Sequence, residues 1–236
     1  MFPERLEGIV FDLDATLVNM GGFVNWREAQ KRAKETYIRC KCSEDMIQQF
    51  SERGLFNMLN LVRDENMVSM SPRLVEDIQR EVYEVIEVCE MESVDLCELM
   101  PGCDTTLQWL KNRGIKMGIA TSNSETVAHG ILKGKEIAHY FTSVVGRRPE
   151  LKMKPNPDQL LECLKQMGVK PENGIMIGDS PKDVGAAKAA GMYVIAIPAY
   201  FTRRESLNEA GVDLIIEGLE ELPRFIPEES LGKASN

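Results

Sequence analysis

The chain has 236 residues, 43% apolar and 28% charged, with a formal charge of −9. That mixture supports a buried core and excludes a collagen-like, low-complexity or wholly disordered chain. The acidic balance, 28 Lys plus Arg against 37 Asp plus Glu, argues against nucleic acid or an anionic membrane as partner, since both demand basic surface.

The first element expected in the chain is Gly8–Phe11, a short apolar run of β-formers that stops at Asp12. A run without alternation suits a strand covered on both faces, as in a parallel sheet. The next eighty or so residues read as helical. A helix is expected from about Asn25 to Cys40, and Ser71-Pro72 opens another. The second carries an apolar stripe at Leu74, Val75, Ile78, Val82, Val85, Ile86 and Cys89. After that, strands and helices alternate. Strands are expected at Ile115–Ala120, Val144-Val145, Gly174–Ile177, Tyr193–Ile197 and Leu214–Ile216, with helices over roughly 104–113, 124–133, 157–167, 181–190 and 204–210.

This order is that of a doubly wound α/β domain with a helical domain inserted after its first strand. The boundaries follow: residues 1–17 and 100–227 form the α/β core, 18–99 the insert, and 228–236 a polar, frayed tail. Gly21-Gly22 and Pro101-Gly102 stand where the two connections must bend. Ser122 with Glu125 and Ser180 with Asp183 have capping-box spacing, and Asn156-Pro157 reads as a cap followed by a first helical turn.

Other features are bland. Six cysteines (Cys40, Cys42, Cys89, Cys97, Cys103 and Cys163) show no zinc spacing and read as free, packed thiols. The longest apolar stretch, Met192–Phe201, contains Pro198 and is about half of what spans a bilayer. Charged residues Glu4, Arg5 and Glu7 make the N-terminus unlike a signal peptide. The expectation is a cytoplasmic protein, a monomer or homodimer, whose partner is a small molecule.

In a doubly wound sheet, ligands bind beyond the carboxyl ends of the strands. Strand one runs into Asp12-Leu13-Asp14-Ala15-Thr16, strand two into Thr121-Ser122-Asn123, and the 174–177 strand into Gly178-Asp179-Ser180-Pro181-Lys182-Asp183. Lys154 lies in a loop entering a helix. Singly, each has an ordinary reading as a turn, a cap or a solvated lysine. Together, Asp12, Asp14, Asp179 and Asp183 on one rim would repel and raise one another's pKa, which a hard divalent cation relieves. Oxygen-only ligands with room for water suit Mg²⁺.

In this order the four segments resemble the motifs of the haloacid dehalogenase-like superfamily of phosphohydrolases. The insert resembles the helical cap of phosphoglycolate phosphatase and β-phosphoglucomutase-type members. The resemblance implies that Asp12 is a nucleophile forming an aspartyl-phosphate and Asp14 a general acid and base whose backbone carbonyl also ligates Mg²⁺. It makes Asp179 and Asp183 metal ligands beside Asp12, and assigns phosphate binding to Thr121, Ser122, Lys154 and Thr16. Arg53 and Gly54, between two inserted helices, are the implied specificity residues. An acid at Asp14 points to a phosphate monoester, hydrolysed or moved by a mutase. The segment Val18–Phe23 lacks the acid that phosphoglycolate phosphatases and β-phosphoglucomutases often show there, and it lacks the histidine associated with the mutases, which lowers the phosphosugar mutase reading. A non-catalytic phospho-acceptor would be expected to have lost one of these acids or the lysine. Ala15 departs from the family's glycine and requires either φ below zero or local strain.

Overall fold

The computed structural model describes residues 1–199 and 202–231. Strand β1 (Gly8–Phe11) leads through a 3₁₀ turn at Met20–Phe23 into four helices: α1 (Trp26–Arg39), α2 (Glu44–Ser51), α3 (Leu55–Ser69) and α4 (Pro72–Met91). The alternation then runs α5 (Cys103–Lys111), β2 (Lys116–Ser124), α6 (Glu125–Gly134), β3 (Phe141–Arg147), α7 (Asp158–Met167) and β4 (Gly174–Gly178). It closes with α8 (Pro181–Ala190), β5 (Tyr193–Ala196), α9 (Arg204–Glu209), β6 (Leu214–Ile215) and α10 (Leu222–Phe225). The strands form one sheet in the order β3-β2-β1-β4-β5-β6, every pair parallel. Because β1 lies inside the sheet and the chain adds strands first on one side and then on the other, the carboxyl ends of β1, β2 and β4 open onto one crevice.

Burial explains the unbroken apolar strands. Ile9 and Phe11 point into one core, while Val10 joins Leu160, Leu164, Val184 and Ala187 in a second core on the opposite face. The first core continues through Leu13, Leu17 and Met20 to Ala33, Tyr37, Leu59 and Val82 of the inserted helices. Ser71 caps α4 by accepting from the Leu74 amide, with Pro72 in the first turn. Of the expected stripe, Val75, Ile78, Val82, Ile86 and Cys89 are buried, and Val85 is partly so. Leu74 is instead exposed, in the first turn of the helix. The connections flanking the insert pair with each other: Val18 and Leu99 form an antiparallel bridge, and the Met100 amide donates to the Leu17 carbonyl at 2.8 Å.

Three local expectations change. Strand β2 runs on to Ser124, so Ser124 and not Ser122 caps α6, accepting from the Thr126 and Val127 amides. Pro157 occupies the cap position of α7, and the Asn156 side chain turns back to the Met153 carbonyl. The start of the tail is not frayed: the Leu6 amide donates to the Ser230 carbonyl at 2.9 Å, and Leu231 bridges Leu6. Tail residues 232–236, and positions 200 and 201 of the long apolar stretch, lie outside the described residues. All six cysteines are free. Among the described residues no helix is long and apolar enough to cross a membrane.

Ala15 takes the strained option, with φ +63° in a buried turn. A β-carbon there costs about 1–2 kcal/mol, and glycine gives back part of that gain through its more flexible unfolded chain. Ala15→Gly is therefore expected to stabilise the protein by about 0.5–1 kcal/mol, read as a higher denaturant midpoint at unchanged slope; a lower midpoint would show that the methyl's packing outweighs the strain.

Candidate active site

Asp12 directly follows β1 and its amide donates to the Ile177 carbonyl of β4, which ties the acid to the centre of the sheet. Asp179 follows β4. Asp183 is in the first turn of α8, where its Oδ2 accepts from the Ser180 amide at 3.0 Å and hydroxyl at 2.6 Å. The capping box expected from spacing is thus formed, and the same side chain also serves the site. Carboxylate oxygens of Asp12, Asp179 and Asp183 all lie within 4.8 Å of one another. Gly178 permits this approach, since a β-carbon at that position would meet Asp183 Cγ at 2.5 Å.

Lys154 reaches in from the loop before α7. Its Nζ lies 2.5 Å from Asp12 Oδ1 and 2.5 Å from Asp183 Oδ1, and all three side chains are buried. The two carboxylates outweigh the cost of burying the ammonium and hold its pKa above the ordinary value, so it stays charged. Burial, reinforced by Asp183 and Asp14 and partly offset by Lys154, raises Asp12 to about 7. Burial together with the negative charge of Asp183 and Asp12 raises Asp179 to about 8. A close set of oxygen donors that resists ionisation on its own has the chemistry of a site for a hard divalent cation.

Asp14 lines the same cleft, about 360 Å³ in volume, without joining the cluster of metal-competent oxygens. Its Oδ1 accepts the Gly21 amide at 2.8 Å, so the first connection to the insert orients it. Gly21 is required there because a β-carbon would run into the Asp14 carboxyl group.

The phosphate-binding expectations divide. Ser122 and Lys154 line the cleft, accompanied by Asn123. Thr121 lies beneath them, fully buried, and its hydroxyl is 2.9 Å from Asn123 Oδ1. Thr16 is not at the cleft: its buried hydroxyl has no hydrogen-bond partner among the described residues and borders a separate cavity with Met100, Pro101 and Leu219. The chain passes through the Ala15 turn and carries Thr16 away from the rim. Arg53 and Gly54 also fall outside the lining, on an exposed turn where Gly54 (φ +82°) precedes α3. The inserted residue that reaches the cleft is Phe56, with the Lys182 ammonium 5.7 Å from its ring centre. Aromatic residues in a helical insert read as core, which hid Phe56; Lys182, inside the fourth motif, was legible by position alone.

The model of the haloacid dehalogenase-like hydrolase family matches residues 9–197, which contain every one of these cleft residues. The chain belongs to that family. Among its relatives in the family, phosphoglycolate phosphatase 1 of Pseudomonas aeruginosa is 34% identical over 131 residues, 56% of this chain and 48% of that protein. The match therefore spans about half of that relative's length. A phosphoglycolate phosphatase of Pseudomonas fluorescens is 28% identical over 224 residues, 94% of this chain and 80% of the relative. In solved structures the fold is similar to β-phosphoglucomutase of Clostridium difficile, with a TM-score of 0.62, 19% identity and coverage of 92% and 93% of the two chains. That last likeness is one of fold.

Protons on Asp12 and Asp179 must leave before a cation can enter. In the metal-free protein these raised values make the folded state bind more protons than the unfolded one, so stability falls as pH rises from about 4 toward 8. A cation bound among these acids would offset that loss. Apparent Mg²⁺ affinity, measured by calorimetric titration, is expected to be at least about tenfold weaker at pH 6 than at pH 8; pH-independent binding would place the cation elsewhere.

Proposed function

We propose that this protein is a Mg²⁺-dependent phosphatase that hydrolyses a small phosphate monoester through an aspartyl-phosphate on Asp12. The observation that carries the reading is the convergence of Asp12, Asp179 and Asp183 within 4.8 Å at one opening, with Lys154 between two of them. Family membership and the names of its relatives support the same chemistry.

In this reading Asp12, Asp179 and Asp183 would hold the cation through their side chains, with Asp14 contributing its backbone carbonyl. When bound, the cation neutralises the acids and draws charge from the phosphoryl oxygens. Asp12 attacks phosphorus with a carboxylate oxygen while the bond to the leaving oxygen breaks. Asp14, held by the Gly21 amide, donates its proton to that oxygen. Asp14 then takes a proton from a water that attacks phosphorus, and the Asp12–phosphorus bond breaks to release orthophosphate. Lys154 orients Asp12 and opposes phosphoryl charge, while Ser122 and Asn123 face the phosphoryl oxygens. The inserted helices act as a cap that excludes water, with Phe56 as its floor. The free cysteines suit a reducing cytoplasm.

In the same reading the leaving group would meet Phe56 and Lys182, which line the cleft together; the half-buried Lys182 ammonium has a pKa lowered mainly by burial. An anionic leaving group such as glycolate matches that cation. Phosphoglycolate is accordingly the first ester to assay.

Asp12→Asn is expected to abolish phosphate release from phosphoglycolate and from an aryl phosphate. Asp14→Asn should slow turnover by about 10²–10⁴-fold with Mg²⁺ binding retained. Wild-type turnover in Asp12→Asn would remove the nucleophile from this account. Lys182→Met should lower the ratio of kcat/KM for phosphoglycolate over that for a neutral alkyl phosphate by about tenfold, a loss of ~1.4 kcal/mol; an unchanged ratio would take Lys182 out of substrate selection.

A further inference from the structure

Strand β2 leaves its ladder just where it meets the cleft. Ala120 pairs with Val145 and Ser124 with Arg147, so β2 advances four residues while β3 advances two. The excess is a bulge at Thr121–Asn123, and Ser122 and Asn123 line the cleft from it. Backbone groups that leave a ladder inside a protein must find other partners. Here they find side chains. Gln159 Nε2 donates to the Thr121 carbonyl at 2.6 Å, and Arg147 donates to the Ser122 carbonyl at 2.9 Å. The Asn123 amide donates to the Thr121 hydroxyl, and the Ser124 amide to Glu90 Oε2 at 3.1 Å.

Glu90 is the outlying member of this set, because it comes from α4, in the insert. It has no exposed surface, and neither does the Arg147 side chain. The two form a paired contact, Arg147 NH1 to Oε1 and NH2 to Oε2, each 2.9 Å. Glu90 Oε1 also accepts from Asn123 Nδ2 at 3.1 Å. Asn123 Oδ1 in turn accepts from the Thr121 hydroxyl, so one carboxylate of α4 fixes the rotamer and orientation of Asn123. Arg148, its neighbour in sequence, is only partly buried and pairs with Glu125, whereas Arg147 is buried.

A buried ion pair is a poor source of stability compared with apolar side chains of similar size, and its usual return is a fixed register between elements. We propose that Glu90 and Arg147 are positioning residues for phosphate recognition: as one hydrogen-bonded pair they hold the bulge residues Ser122 and Asn123 toward the cleft, and make the phosphate pocket of the α/β core depend on the seating of α4. The inference rests on the reading of the cleft as a phosphoryl-transfer site. It assigns the insert a second task besides covering the substrate, since α4 builds part of the phosphate pocket.

The test uses the full-length enzyme, with orthophosphate as a competitive inhibitor of aryl phosphate hydrolysis. Glu90→Gln removes the charge but keeps the shape. Arg147→Lys keeps the charge but cannot reach Glu90 twice and the Ser122 carbonyl as well. Each is expected to raise Ki for orthophosphate and KM for the ester by about tenfold or more, with a smaller change in kcat. Tyr37→Phe serves as the stability control: it removes the buried hydrogen bond to Gln79 that joins α1 to α4 and should lower Tm without moving Ki. Lower Tm with unchanged Ki in Glu90→Gln and Arg147→Lys would make the pair merely structural and overturn the proposal. Where Glu90→Gln yields no folded protein, Arg147→Lys alone decides by the same criterion. A wild-type enzyme that hydrolyses no ester would instead sink the phosphatase reading, and orthophosphate binding by direct titration would still report on the pair.

Discussion

Three carboxylates crowd one space, two of them buried, and one lysine holds those two together. Lys154 contacts Asp12 and Asp183 at equal distance, so its ammonium is held in place by both while it lowers the repulsion between them. Removing one partner from such a buried contact leaves an uncompensated charge, a penalty of about 3–5 kcal/mol. Lys154 is therefore as much a condition for the rim to exist as a contributor to its chemistry. Burial, with the remaining excess of negative charge added to it, raises the pKa values of Asp12 and Asp179, and a cation would offset both.

The sheet supplies the convergence at little cost. β1, β2 and β4 are neighbours, and the residue that ends each parallel strand is delivered to the same edge. The helical insert is attached to that edge by more than its two connections. Gly21 binds Asp14, Asn60 of α3 bonds to the backbone of Met153 and Lys154, and Glu90 of α4 holds the β2 bulge. Arg63 adds contacts to the Pro149 and Glu150 carbonyls. Acid, lysine and bulge thus each have a partner from the insert, which gives a physical route by which seating of these helices and readiness of the site go together.

Much of this was legible because strand ends carry local signals. An apolar run that halts at Asp12, a Ser180-Pro181-Lys182-Asp183 helix start and an apolar stripe along α4 each reflect short-range physics, and each stands where expected within a residue or two. The misreadings share a cause. Ser122 has capping spacing but sits in a strand that continues past it. Thr16 has the right sequence neighbourhood but turns from the rim through a left-handed Ala15. Arg53 and Gly54 lie on the expected turn, yet the next helix brings Phe56 to the cleft in their place. In each case the residue's direction depended on the path of the backbone in three dimensions, which spacing along the sequence does not carry.

By itself the sequence determined the order of strands and helices, and it placed Asp12 and Asp179 at strand ends, with Asp14, Lys154 and Asp183 in the loops and helix start beside them, because hydrophobic periodicity and strand-end chemistry are written locally. Only the tertiary structure decided which groups share a space. Glu90 and Arg147 are 57 residues apart and become one buried unit solely through the packing of α4 on β2 and β3. Burial and pairing are properties of distance in space, and no local pattern encodes a distance that the closing of the whole fold creates.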